Sequence, residues 1–177
     1  MIKNDSVALR ALEPGDVDIL YHWENDMSLW YVSNTLTPFS KHQLEKYVKA
    51  AALDIYQTKQ LRLIVEEITS GAPKPVGLID LFDFDPFHQR AGIGIMINQA
   101  WRGRGIAASA LSLFVQYVFE NLALHQLYCN ISSHNEASLK LFRSAGFHLI
   151  GVKKEWLKTK DGREDECMFQ LINPRGR

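Results

Sequence analysis

The chain has 177 residues, enough to bury one substantial core and too few for two comfortable ones, so a single domain over residues 1–177 is expected. Lys plus Arg and Asp plus Glu stand at 20 each, which leaves no global basic field of the kind that draws proteins onto nucleic acid or anionic membranes. Two cysteines, Cys129 and Cys167, lack CxxC spacing and point to neither a zinc site nor a disulfide framework; both are expected as reduced core residues.

The start, MIKNDSVALRALEPGD, mixes charges into its first residues and lacks the basic-then-apolar layout of a secretion signal. The longest charge-free run, Gly105 to Phe119, falls short of the roughly 20 apolar residues that cross a bilayer. A soluble cytoplasmic protein is therefore expected, with neither a nucleic-acid nor a membrane partner.

Ser6–Leu12 alternates as a strand, and Glu13–Asp26 follows as a helix, with proline early and acids in the first turn. Asn25–Phe39 is aromatic-rich and irregular. A helix opens near Ser40, whose hydroxyl can cap it, and sets Leu44, Tyr47, Val48 and Ala51 on one face. Thr69–Pro75 is a loop. Gln60–Ile68, Val76–Phe84 and Ala91–Ile97 are rich in branched and aromatic residues between turn residues, and together predict an antiparallel meander.

From Gly103 to about Asn121, Ile106, Ala110, Leu113, Val115, Tyr117 and Val118 recur at helical spacing with few polar interruptions, which predicts a helix covered on most sides. His125–Ser132 reads as a buried strand, and Asn135–Gly146 as a helix closed by a glycine suited to a left-handed stop. Phe147–Lys158 and Arg163–Ile172 are strands joined by an aspartate-glycine turn. The order predicts an α/β (α+β) fold: a mixed, mostly antiparallel central sheet with helices on both faces.

The stretch AWRGRGIA, at Ala100–Ala107, places a strand, then glycines, then a helix start, an arrangement that offers free backbone N–H groups and a positive helix end to an anion. A solvated turn with two arginines is the competing reading. Gly103, Gly105 and Ala108 satisfy G-x-G-x-x-A, but a dinucleotide site also wants an acid after the next strand, and Tyr128–Asn135 has none. A phosphate-binding kinase loop fails for want of G-K-[ST].

RGRGIA matches the R/Q-x-x-G-x-G/A loop through Arg102, Gly105 and Ala107. NEASLKLFRSAGF matches N-x-x-S-x-x-L-[YF]-x-x-x-G-F through Asn135, Ser138, Leu141, Phe142, Gly146 and Phe147. On these two motifs the chain resembles the GCN5-related N-acetyltransferase superfamily. VGLIDLFDFDP and HQRAGIGIMI look most like the branch holding spermidine and ribosomal-protein N-terminal acetyltransferases, and the first 60 residues resemble it only loosely.

The resemblance implies acetyl-CoA as co-substrate, direct transfer to an amine, no metal and no covalent enzyme intermediate. Its pyrophosphate would rest on the backbone amides of Arg102, Gly103, Arg104, Gly105, Ile106 and Ala107. The pantetheine arm would lie where the fourth and fifth predicted strands part, bonded to Ile95, Met96 and Ile97. Asn135 and Ser138 would reach the same ligand; a plain helix cap is the alternative for Asn135. The acceptor would be a small-molecule amine such as a polyamine, or a protein N-terminus. Pairing of the last strands in a homodimer stays open.

An alkylamine of pKa near 10.4 is almost wholly protonated at neutral pH, so some group must take a proton. Many relatives place a tyrosine where this chain has Phe142 and a glutamate where it has Gly92, and both are absent. The resemblance puts the first helices and the third predicted strand beside the acceptor, so Glu24, Asp80 and Asp83 are candidate lining for a cationic amine, with Glu24 and Asp80 also candidate bases. The period of two puts Asp80 and Asp83 on opposite faces unless a bulge intervenes. Tyr128 is a candidate substitute acid, with core packing as its alternative, and His134 a candidate relay or an ordinary surface histidine. A non-catalytic acyl-CoA-binding module is a further reading that Phe142 and Gly92 allow.

Overall fold

The computed structural model describes residues 2–30 and 35–174, so part of the irregular aromatic segment expected at 25–39 lies outside the described residues. One eight-stranded sheet organises the chain: β1 (Ile2–Lys3), β2 (Val7–Ala11), β3 (Leu61–Glu67), β4 (Lys74–Asp85), β5 (Arg90–Ile97), β6 (Gln126–Ser132), β7 (His148–Thr159) and β8 (Gly162–Ile172). Its order is β1-β2-β3-β4-β5-β6-β8-β7. The expected meander is present as β3 to β5, β2 extends it on the β3 side, all antiparallel, and β5 pairs β6 in parallel. Strand β1 was not anticipated, and it hydrogen-bonds antiparallel to β2.

Two layers cover the sheet. On one face, α1 (Val17–Glu24) and α2 (Lys41–Ala50) bury Leu20, Trp23, Leu44 and Val48 against Ile64 and Leu78. On the other, α4 (Ile106–Asn121) and α5 (Glu136–Ser144) bury Ile106, Ala110, Leu111, Phe114, Val118, Leu139 and Phe142 against the strands. The spacing of the α4 set explains why this helix carries so long an apolar run: one stripe is wholly buried and its flanks are partly so. A short α3 (Ile55–Thr58), capped by Asp54, precedes β3.

Several helix bounds are tighter than the sequence pattern indicates. Pro14–Asp16 is a separate 3-10 turn before α1, and α1 stops at Glu24 rather than Asp26. Helix α2 has the expected Ser40 cap, with Gln43 returning the bond, but ends at Ala50, leaving Ala51 as its C-cap. Gly103 and Gly105 stand outside α4, both with left-handed φ. Gly146 makes the expected left-handed stop after α5, at φ +87°. Among the described residues no helix is long and apolar enough to cross a membrane. Both cysteines are free; Cys129 is buried, and burial pushes its thiol up to about 12, where it is inert.

Candidate active site

Parallel pairing between β5 and β6 is confined to Arg90 with Gln126, Ala91 with Leu127 and Gly92 with Tyr128. Beyond Gly92 and Tyr128 the strands part, so the β5 edge from Ile93 to Ile97 faces a wedge instead of a neighbour. The expected pantetheine edge, Ile95, Met96 and Ile97, lies along this wedge. The Ile97 carbonyl accepts a bond of 2.9 Å from Arg102 Nε, which ties the loop arginine back to the strand end.

At the wide end of the wedge the chain turns through Gly103 (φ +75°) and Gly105 (φ +77°) into α4. An added Cβ at either glycine would meet no protein atom within 4 Å, so the requirement for glycine is conformational and the space above them is open. The first helical bond runs from Ser109 N to the Gly105 carbonyl, which leaves the amides of Ile106, Ala107 and Ala108 without intrahelical acceptors. Arg104 stacks on Trp101 at 4.7 Å, with Lys74 on the same ring at 5.8 Å, so positive charge gathers beside those amides. These features fit an anion such as a pyrophosphate. Asn135 caps α5, its side-chain oxygen accepting the Ser138 amide at 3.1 Å; the capping role is therefore filled, and both residues sit at the helix end beyond β6.

On the α1/α2 face a cleft of about 430 Å³ opens beside the strand end, lined by His22, Asp26, Ser28, Met96, Asn98 and Arg102 among others. Ser28 bonds Asp26 through both hydroxyl and amide and holds its carboxyl below the usual range.

Farther along this face stand the expected acidic residues, with a partner the pattern did not reveal. Arg62 on β3 donates to Asp80 through Nε (2.6 Å) and Nη2 (3.0 Å), and to Glu24 through Nη1. Its guanidinium also lies 5.2 Å from the Tyr47 ring. Burial opposes the charge on Arg62, and Asp80 outweighs it, so its pKa is raised. Tyr47 is raised as well, chiefly by burial. The missed signal was the register: Arg62 stands directly opposite Asp80 in the antiparallel pair, and an arginine inside a buried strand needs such a partner.

The register of β4 on β5 shifts between Phe82 and Asp85, and Asp83 adopts a left-handed φ of +50°. This bulge turns Asp83 toward the face it would otherwise have pointed away from, and its Oδ2 accepts the Tyr128 hydroxyl at 3.0 Å. Tyr128 is thus neither plain core nor a free acid. Burial first, and then the Asp83 hydrogen bond, push its phenol up to about 12. Phe82 stands opposite Gly92, where an added Cβ would come within 2.1 Å of its ring. The ring therefore fills the space in which a glutamate at position 92 would begin, and its edge packs on Tyr128 at 6.0 Å. Phe142 is buried against Phe147, ring centres 5.1 Å apart. His134 is exposed and reaches Glu164 at 3.3 Å.

Residues 6–148, the range that holds the parted strands, the left-handed glycine turn and the open helix start, match the Acetyltransferase (GNAT) domain family. The chain belongs to the GNAT acetyltransferase family. It is 27% identical to the spermidine N(1)-acetyltransferase of Vibrio cholerae, across 83% of this chain and 84% of that protein. Its fold superposes on the Vibrio cholerae spermidine N-acetyltransferase solved in complex with CoA and spermine, with a TM-score of 0.85, 24% identity and 96% of each chain covered. The dodecameric structure of the Vibrio cholerae spermidine enzyme in an intermediate state gives a TM-score of 0.78 at 26% identity, covering 96% of this chain and 95% of that one. The chain is accordingly an N-acetyltransferase of GNAT type. Where the resemblance leads one to expect a glutamate and a tyrosine the chain carries Gly92 and Phe142; the Phe82 ring covers Gly92, and the Tyr128 hydroxyl donates to Asp83 beside it.

Proposed function

We propose that the chain transfers an acetyl group from acetyl-CoA to a small cationic amine such as a polyamine, acting in the cytoplasm. The observation that carries the donor half is the open β5 edge running into the glycine turn, where Ile106, Ala107 and Ala108 present amides to an anion. The acceptor half is supported by charge. Glu24, Asp80 and Asp83 lie on the face reached from the α1/α2 side, and Arg62 neutralises only part of their charge. Likeness to spermidine acetyltransferases over most of the chain supports the same acceptor class.

Strand β7 lies at the sheet edge and exposes Leu149, Ile150, Val152 and Trp156. Such an apolar edge supports self-association through a second copy, whether a homodimer or a larger ring. Light scattering on the purified chain checks this; a monomer at all concentrations removes it.

The function is tested by thiol release from acetyl-CoA with a panel of polyamines, aminoglycosides and peptides. Turnover of a polyamine is expected. Turnover of peptides alone would move the acceptor to a protein N-terminus, and acetyl-CoA binding without any turnover would leave an acyl-CoA-binding module. Binding of NAD that CoA does not displace would revive the dinucleotide reading.

A further inference from the structure

We propose that Asp83 and Tyr128 form the proton-handling pair of this active site, Asp83 taking a proton from the attacking ammonium group and Tyr128 passing one to the departing sulfur. This rests on the acetyl-transfer reading above and goes beyond it. Tyr128 pairs with Gly92 at the last residue before β5 and β6 part, so its hydroxyl stands at the closed end of the wedge. There the reacting end of an extended ligand lying along β5 would arrive.

Three features hold the pair in place. The bulge carries Asp83 in a left-handed conformation that is unfavourable for a residue other than glycine and persists where the surroundings impose it. The Phe82 ring occupies the space above Gly92 and packs on the Tyr128 ring. The Tyr128 hydroxyl donates to Asp83 Oδ2, and Asp83 is itself exposed. Facing the pair from β5 is Arg90, itself bonded to Asp85 at 3.3 Å.

The proton balance closes without a further reactant. Asp83 removes one proton from the substrate ammonium, giving a neutral amine whose lone pair forms the C–N bond to the thioester carbon. As the C–S bond breaks, Tyr128 gives its phenolic proton to the sulfur and recovers one from the Asp83 carboxyl. The remaining proton lost by nitrogen passes to solvent. A phenol near 12 is by itself a poor acid for a thiolate whose conjugate acid lies near 8.5. Coupled to a protonated carboxyl, the same transfer runs downhill, which is why the two residues are needed together.

The test uses full-length protein with the best amine of the panel. Asp83→Asn is expected to lower kcat about a hundredfold near pH 7 and to recover much of it toward pH 10, where free amine becomes abundant. Tyr128→Phe is expected to lower kcat by about tenfold or more with little change in KM. Independently of activity, NMR titration of protein carrying 13C-labelled tyrosine should show the Tyr128 phenol ionising at lower pH in Asp83→Asn than in wild type. A wild-type pH profile in Asp83→Asn, or a Tyr128 titration indifferent to that change, overturns the pair while leaving the enzyme's reaction standing. A wild-type protein that acetylates no amine overturns both.

Discussion

Gly105 sits at the N-cap of α4 with φ +77° and no protein atom near the place a Cβ would occupy. A side chain there would project into open space above the unpaired amides, and a carboxylate would add like charge where a pyrophosphate is expected. Gly105→Asp should weaken acetyl-CoA binding at least about tenfold, since left-handed strain of about 1–2 kcal/mol adds to the repulsion. Calorimetry on the folded variant measures this, and unchanged affinity would remove the donor site from this turn. Phe142 makes the opposite case. Its ring belongs to the buried core beside Phe147, so a hydroxyl there has no reason to assist the leaving sulfur while the Tyr128–Asp83 pair supplies the proton. Phe142→Tyr is expected to leave turnover within about threefold, where general-acid help is otherwise worth about a hundredfold. A large gain would mean that the native site lacks an acid.

Between elements, carboxylates paired with arginine decide both assembly and charge. Arg62 joins β3, β4 and the end of α1 through Asp80 and Glu24, so the acidic face is partly spent on holding helix to sheet. Asp80→Asn removes a charge that a cationic acceptor would feel and also breaks a two-pronged bond. The polyamine KM should rise by about tenfold, for a charged hydrogen bond worth about 1.5–3 kcal/mol, with some loss of thermal stability. A KM equal to wild type, read with a peptide acceptor as control, would argue that Asp80 is structural only.

Arg10 plays the matching part on β2, bonding Asp16 at 2.7 and 2.8 Å and Glu66 at 2.7 Å. Burial alone would raise the Asp16 carboxyl, but Arg10 and the Glu13 amide outweigh it and hold it below its usual value. A folded pKa below the unfolded value near 3.9 gives a contribution that is complete above that value and lost as pH falls through the folded one. Asp16→Asn should therefore lower Tm at neutral pH, with a difference from wild type that shrinks as the pH falls below the usual carboxylate range. Thermal melts from pH 7 to 2 measure it; a gap that stays constant with pH would show that the charge is not what matters.

Period and spacing were enough to place seven of the eight strands, the capped α2, the α4 stripe and the glycine stop of α5, because each of these is a local pattern of burial or backbone freedom. The glycine turn was legible for the same reason. Arg62 was not, since its importance depends on which residue stands opposite it across β3 and β4. Nor was the meeting of Asp83 with Tyr128, residues far apart in the chain, which hangs on one bulge whose position no alternation announces. Gly92 was visible as an absence, but only the neighbouring strand shows that Phe82 takes the vacated room.

At the scale of the whole molecule, the sheet is held across its middle by the three residue pairs that join β5 to β6. Among the described residues, the remainder of that seam consists of backbone groups with no strand opposite. A ligand that supplies amides to this seam acts as a temporary strand and completes the secondary structure it enters. Amide hydrogen exchange should then slow, on adding acetyl-CoA, at residues 94–97 and 129–132, and change little in β2 and β3. Equal exchange with and without the ligand would mean that it binds elsewhere. By this reasoning the donor substrate, lying along the line where the enzyme works, would also be the last piece of its fold.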